Sequence, residues 1–90
     1  MSFPERATGA MLGLAVGDAL GALLEFSSPA EARTRCEAGL EMTGSSIWES
    51  GEWTDDTAMA LALAESIAEH GLIDLDGVAR RYAAWAAGGP

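Results

Sequence analysis

Lysine is absent from this ninety-residue sequence, cysteine and histidine occur once each, and only six residues are aromatic. A single cysteine, Cys36, excludes an intramolecular disulfide framework and fits a reducing, cytoplasmic compartment. One histidine and one cysteine cannot build a zinc finger. Fourteen acidic residues against five arginines leave a net charge of -9, which repels phosphate backbones, so nucleic acid is not expected as a partner. The hydrophobic fraction is 49%, but much of it is alanine, which buries little area. The expectation is one small domain over residues 1–90 with a thin core.

The most apolar run is Ala7 to Leu24, interrupted by Thr8, Asp18 and four glycines. Its length would suit a membrane span. Asp18, however, would cost ~3 kcal/mol near a bilayer centre, and the glycines weaken the hydrophobicity further. Glu5 offsets Arg6 ahead of the run, which does not suit an export signal. No membrane partner is expected, and the run reads as a fully buried helix. Gly9, Gly13, Gly17 and Gly21 recur every four residues and form a stripe along it. Each costs ~1 kcal/mol relative to alanine. The compensation would be close approach of another backbone or a ligand, and tight helix packing alone is sufficient. Asp18 must be paired, since an unpartnered buried charge is very costly. Arg6, Arg33, Arg35, a bound cation, or free N–H groups at another helix start would all serve. Glu25, beyond the run, reads locally as a solvent-facing acid.

Ser28-Pro29-Ala30-Glu31 carries the signals of a helix start: a cap, a proline at the first position and a capping-box glutamate. Gly39 closes that helix. Its charges Glu31, Arg33, Arg35 and Glu37 read as a solvated face, with Cys36 a small buried residue. Leu40 to Trp53 reads as a long loop, with Trp48 and Trp53 either anchoring it, the preferred reading, or walling a pocket, and loops of that length are usually functional. A second long helix spans Asp55 to His70, with Met59, Leu63 and Ile67 on one face and Gly71 as its stop. Asp74 caps a last helix in which Leu75, Val78, Tyr82 and Trp85 follow a three-four spacing. Four helices and no strand make the chain all-α.

Thr54-Asp55-Asp56, where the loop gives way to the second long helix, supports two readings. One is a well-made helix start, with Thr54 as cap and two aspartates favoured by the helix dipole. The other is half of a divalent-cation site, since hard cations take oxygen ligands.

Three segments in order resemble the ADP-ribosylglycohydrolase family: Gly13-Leu14-Ala15-Val16-Gly17-Asp18-Ala19-Leu20-Gly21, then Glu25-Phe26, then Gly51-Glu52-Trp53-Thr54-Asp55-Asp56-Thr57-Ala58-Met59. The Ser28-Pro29 helix start and Tyr82-Ala83-Ala84-Trp85 fit as well. The resemblance implies the helical N-terminal portion of an orthogonal helix array. It also implies a hydrolase that removes ADP-ribose from modified side chains or related ADP-ribosyl compounds, using two magnesium (or manganese) ions. Thr54, Asp55 and Asp56 would be metal ligands, Glu25 the acid near the scissile bond, and Asp18 a structural residue. Family members supply their remaining ligands from a later acidic motif of the Asp-x-Asp-Thr type. Asp74-Leu75-Asp76 is followed by Gly77 and is better explained as a helix cap. The expectation is therefore a partial domain that does not complete the two-metal site as a single copy. The alternative is a non-catalytic helical module that binds a metal or a partner, with a homodimer pairing two Thr-Asp-Asp half-sites as a further form.

Overall fold

Ser2 starts the first helix. Its hydroxyl accepts from the Glu5 amide at 3.2 Å while the Glu5 carboxylate takes the Ser2 amide, a reciprocal capping box. Pro4 in the first turn has no N–H to leave unsatisfied. Helix α1 therefore spans Phe3–Gly21, beginning ahead of the apolar run rather than at Ala7 and ending before Leu24. The computed structural model describes residues 1–45 and 48–88. They contain α1, α2 (Pro29–Glu37), α3 (Asp55–His70) and α4 (Leu75–Ala86), with no strand among them. The fold is all-α. Two compact units divide the chain, Met1–Thr54 and Asp55–Pro90.

In the first unit, Ala19, Ala22 and Leu23 form the buried apolar centre at the end of α1 and in the turn after it. The rest of α1 does not match the expectation of full burial. Phe3, Leu12, Leu14 and Val16 are exposed, and a β-carbon added at any of the four α1 glycines would meet nothing within 4 Å. Among the described residues, nothing closes on the stripe. Helix α2 opens as expected, Ser28 Oγ accepting from the Glu31 amide at 3.2 Å, although the reciprocal half of that box is not made. No residue of α2 is buried, so Cys36 is exposed rather than buried. Arg35 Nη1 donates to the Leu23 carbonyl at 3.1 Å and ties α2 to the turn that follows α1. Trp48 is half-buried with its indole nitrogen enclosed, as an anchor should be, whereas Trp53 is about half exposed. No helix is long and apolar enough to cross a membrane, among the described residues.

In the second unit, α3 packs on α4. The closed side of α3 is lined by small residues, Ala62 and Ser66, while Ile67 of the expected apolar stripe is exposed. Small residues dominate because α4 brings a glycine to the contact. A β-carbon at Gly77 would lie 2.8 Å from Asp74 Oδ2 and 3.0 Å from both His70 Nε2 and Ser66 Oγ. Asp74 caps α4, accepting from the Gly77 amide at 3.2 Å, and Val78, Tyr82 and Trp85 are half-buried as their spacing predicts. Leu75 of that set is exposed. Gly71 ends α3 with φ 75°, a conformation that favours glycine, and its amide reaches the Ile67 carbonyl at 2.7 Å. On the outer side Arg81 forks between Glu65 (2.8 Å) and Glu69 (2.5 Å). That hydrogen bond and the guanidinium charge hold the Glu69 carboxyl below its ordinary 4.5.

Two outcomes follow. Gly77→Val has no room beside Ser66 and the Asp74 cap, so it lowers unfolding stability by about 1–3 kcal/mol. A urea melt that matches the parent would refute the steric account. For Glu69 the folded value is depressed, so its stabilising contribution is complete above pH 4.5 and is lost as pH falls through the folded value. Arg81→Gln returns the Glu69 midpoint toward 4.5, read by a carboxyl carbon NMR titration, and an unmoved midpoint contradicts the assignment.

Candidate active site

The loop from Leu40 delivers Thr54 to the side of α1, where Asp18 meets it at two points. The Thr54 amide donates to Asp18 Oδ2 at 2.8 Å, and the Thr54 hydroxyl donates to Asp18 Oδ1 at 2.5 Å. Thr54 is buried at 8% exposure and Asp18 is half-buried, so both bonds are shielded from competing water. Of the partners open to Asp18 on sequence grounds, the backbone N–H at a helix start is realised, together with that residue's own hydroxyl. Arg6 is instead bound to the Met1 carbonyl and Arg35 to the Leu23 carbonyl.

This arrangement defines the chemical character of Thr54. A hydroxyl has one proton and two acceptor positions. A carboxylate has no proton to offer, so the single hydroxyl proton of Thr54 is committed to Asp18. Toward any other group, Thr54 Oγ1 is an acceptor. The loop ahead of it, Glu49, Ser50, Gly51, Glu52 and Trp53, lines an open concavity of about 420 Å³. Gly51 turns this loop with φ 78°, and the Glu52 amide closes the turn on the Glu49 carbonyl at 3.1 Å.

Asp55 and Asp56 occupy the first turn of α3 and are exposed. Asp56 makes no hydrogen bond or ion pair among the described residues. Thr54, Asp55 and Asp56 thus present three consecutive hard oxygen donors, a set that fits a magnesium- or manganese-type cation.

Glu25 lies in the turn that follows α1 and is exposed. Its neighbour Phe26 adopts φ 68°, a left-handed conformation that is unusual for a bulky side chain, and is 80% exposed. The strained residue holds a sharp turn directly beside the candidate acid. Among the described residues, no three His, Cys, Asp or Glu side chains converge on one point. The structure therefore joins Thr54 to Asp18 and does not gather the acids into a complete metal cage. Asp18 is the residue the sequence undervalued. Its signal was present, since a carboxylate in an apolar helix demands a donor, but one sequence does not say which donor it meets.

The ADP-ribosylglycohydrolase family model matches residues 1–90. The chain is 44% identical over 87 residues to the ADP-ribosyl-[dinitrogen reductase] glycohydrolase of Rhodospirillum rubrum, covering 93% of this chain and 29% of that protein. It is 40% identical over 81 residues to the ADP-ribosylarginine hydrolase Tri1 of Serratia proteamaculans, covering 90% of this chain and 21% of the relative. The Tri1 protein of Pseudomonas putida is 43% identical over 83 residues, again covering 90% of this chain and 21% of its own length. No solved structure matches the chain significantly. The chain thus spans under a third of the length of these relatives, with the Asp18 helix, the Glu25 turn and the Thr54–Asp56 start all inside the matched region. On this evidence the chain belongs to the ADP-ribosylglycohydrolase family.

Proposed function

We propose that these ninety residues supply part of the active site of a metal-dependent hydrolase that removes ADP-ribose from a modified protein side chain. The names of the relatives support the substrate class: one acts on ADP-ribosylated dinitrogen reductase and two on ADP-ribosylarginine. In this reading Thr54, Asp55 and Asp56 hold magnesium or manganese, and Glu25 handles a proton at the scissile bond. The observation that carries it is the donor set at the start of α3, with the Thr54 hydroxyl proton already committed to Asp18.

Glycosidic cleavage builds positive charge on the sugar and requires an activated water. Bound divalent cations supply Lewis acidity, orienting ribose hydroxyls and lowering the pKa of water. The chain's own contribution is positional. The dipole of α3 favours negative charge at its start, where Asp55 and Asp56 lie. Thr54 is locked by two hydrogen bonds and costs no further ordering on binding. In this reading Glu25, exposed on its turn, exchanges a proton with the substrate and with solvent. Because no three-acid cluster forms among the described residues, the remaining ligands come from outside this stretch. A longer polypeptide or a second copy would provide them. A reducing, cytoplasmic setting accords with the exposed, unpaired Cys36.

Calorimetric titration with magnesium and manganese, beside an Asp55→Asn/Asp56→Asn variant, tests the reading. Saturable binding that the double substitution removes is expected. Binding that survives the substitution would refute these ligands, and no binding by a folded chain would refute a competent half-site in this stretch.

A further inference from the structure

The geometry assigns Asp18 a function beyond holding the fold: it is a positioning residue that makes Thr54 a better cation ligand. This inference rests on the reading of Thr54 as a ligand. Two features of the clamp support it. Both carboxylate oxygens of Asp18 are engaged by the same residue, one on its amide at 2.8 Å and the other on its hydroxyl at 2.5 Å. Here the second bond removes the one proton that would otherwise point a donor at an incoming cation. Thr54 is also buried at 8% exposure, so its rotamer is fixed by packing as well as by Asp18.

The chemical consequence is a polarised hydroxyl. Donating to an anion draws the O–H proton away from Oγ1 and raises the electron density on the oxygen. A neutral threonine hydroxyl is otherwise a weak ligand for a hard cation. Partners behind a ligand that orient it and raise its basicity typically change metal affinity 10–100-fold when removed. The position of Asp18 on α1 also explains why an apolar, glycine-rich helix retains a carboxylate at this point. An alanine there would spare the desolvation cost but leave the Thr54 hydroxyl free to rotate and present its proton.

The test is the manganese affinity of the ninety-residue chain and its Asp18→Asn, Thr54→Val and double variants, each checked for helix content. Asp18→Asn is expected to bind roughly 10–100-fold more weakly. Thr54→Val, which keeps the amide half of the clamp and the side-chain volume, should weaken binding at least as much. The double variant should be no weaker than Thr54→Val alone, because Asp18 acts through Thr54 Oγ1. Asp18→Asn at parental affinity, with Thr54→Val weakened, overturns the inference and leaves the metal reading intact. An additive double variant also overturns it, by showing that Asp18 acts independently of the hydroxyl. No manganese binding by the folded parent overturns both. Should Asp18→Asn fail to fold, the Thr54 amide of the unsubstituted chain decides. Slow hydrogen exchange and a shift of its resonance on magnesium addition support the clamp and its link to the ion. Exchange at the rate of an unprotected amide, or a resonance indifferent to magnesium, overturns the inference.

Discussion

A carboxylate in the last turn of an apolar helix has to be satisfied, and in this chain that requirement joins the first helix to the residue that precedes the third. Asp18 lies on α1 among alanines, leucines and glycines, and its two oxygens take the amide and the hydroxyl of Thr54. Bonds to a charged acceptor contribute roughly 1.5–3 kcal/mol, and leaving that acceptor unpaired in a shielded place costs more. In a unit whose buried apolar residues, among those described, are Ala19, Ala22 and Leu23, two such bonds weigh heavily. They also fix where the long loop after α2 must finish. The same contact is therefore both a structural tie and the feature that sets the chemistry of Thr54.

The second unit is held differently. Helices α3 and α4 meet through small residues, with Gly77 admitted between Ser66, His70 and the Asp74 cap. Close approach of this kind substitutes for the bulky core that an alanine-rich sequence does not supply. The Arg81 fork to Glu65 and Glu69 lies on the solvent side, where screening reduces its value. The unit opens on a helix start with two aspartates in its first turn.

Much of this was legible in the sequence because it is written in local chemistry. Ser28-Pro29 at the start of α2, Asp74 ahead of α4 and Gly71 behind α3 mark element boundaries that the structure reproduces. The Ser2–Glu5 capping box is equally local, lying just ahead of the apolar run. Long-range facts were not legible. The glycine stripe of α1 predicted a close neighbour, and within the described residues there is none. Cys36 was expected inside because cysteine usually is, yet α2 buries no residue at all. The Met59–Leu63–Ile67 stripe was read from period alone, whereas the closed side of α3 is chosen by Gly77 on α4. Each difference concerns what an element packs against, which periodicity cannot name.

The account depends most on the hydroxyl–carboxylate bond between Thr54 and Asp18 being real and energetically coupled. A double-mutant cycle on unfolding stability, without metal, measures it directly: Asp18→Asn, Thr54→Val and the pair, each by urea denaturation. The account predicts a coupling of about 1 kcal/mol or more between the two positions. Effects that add to within about 0.5 kcal/mol would show that the two side chains are energetically independent, and the clamp would not be what positions Thr54.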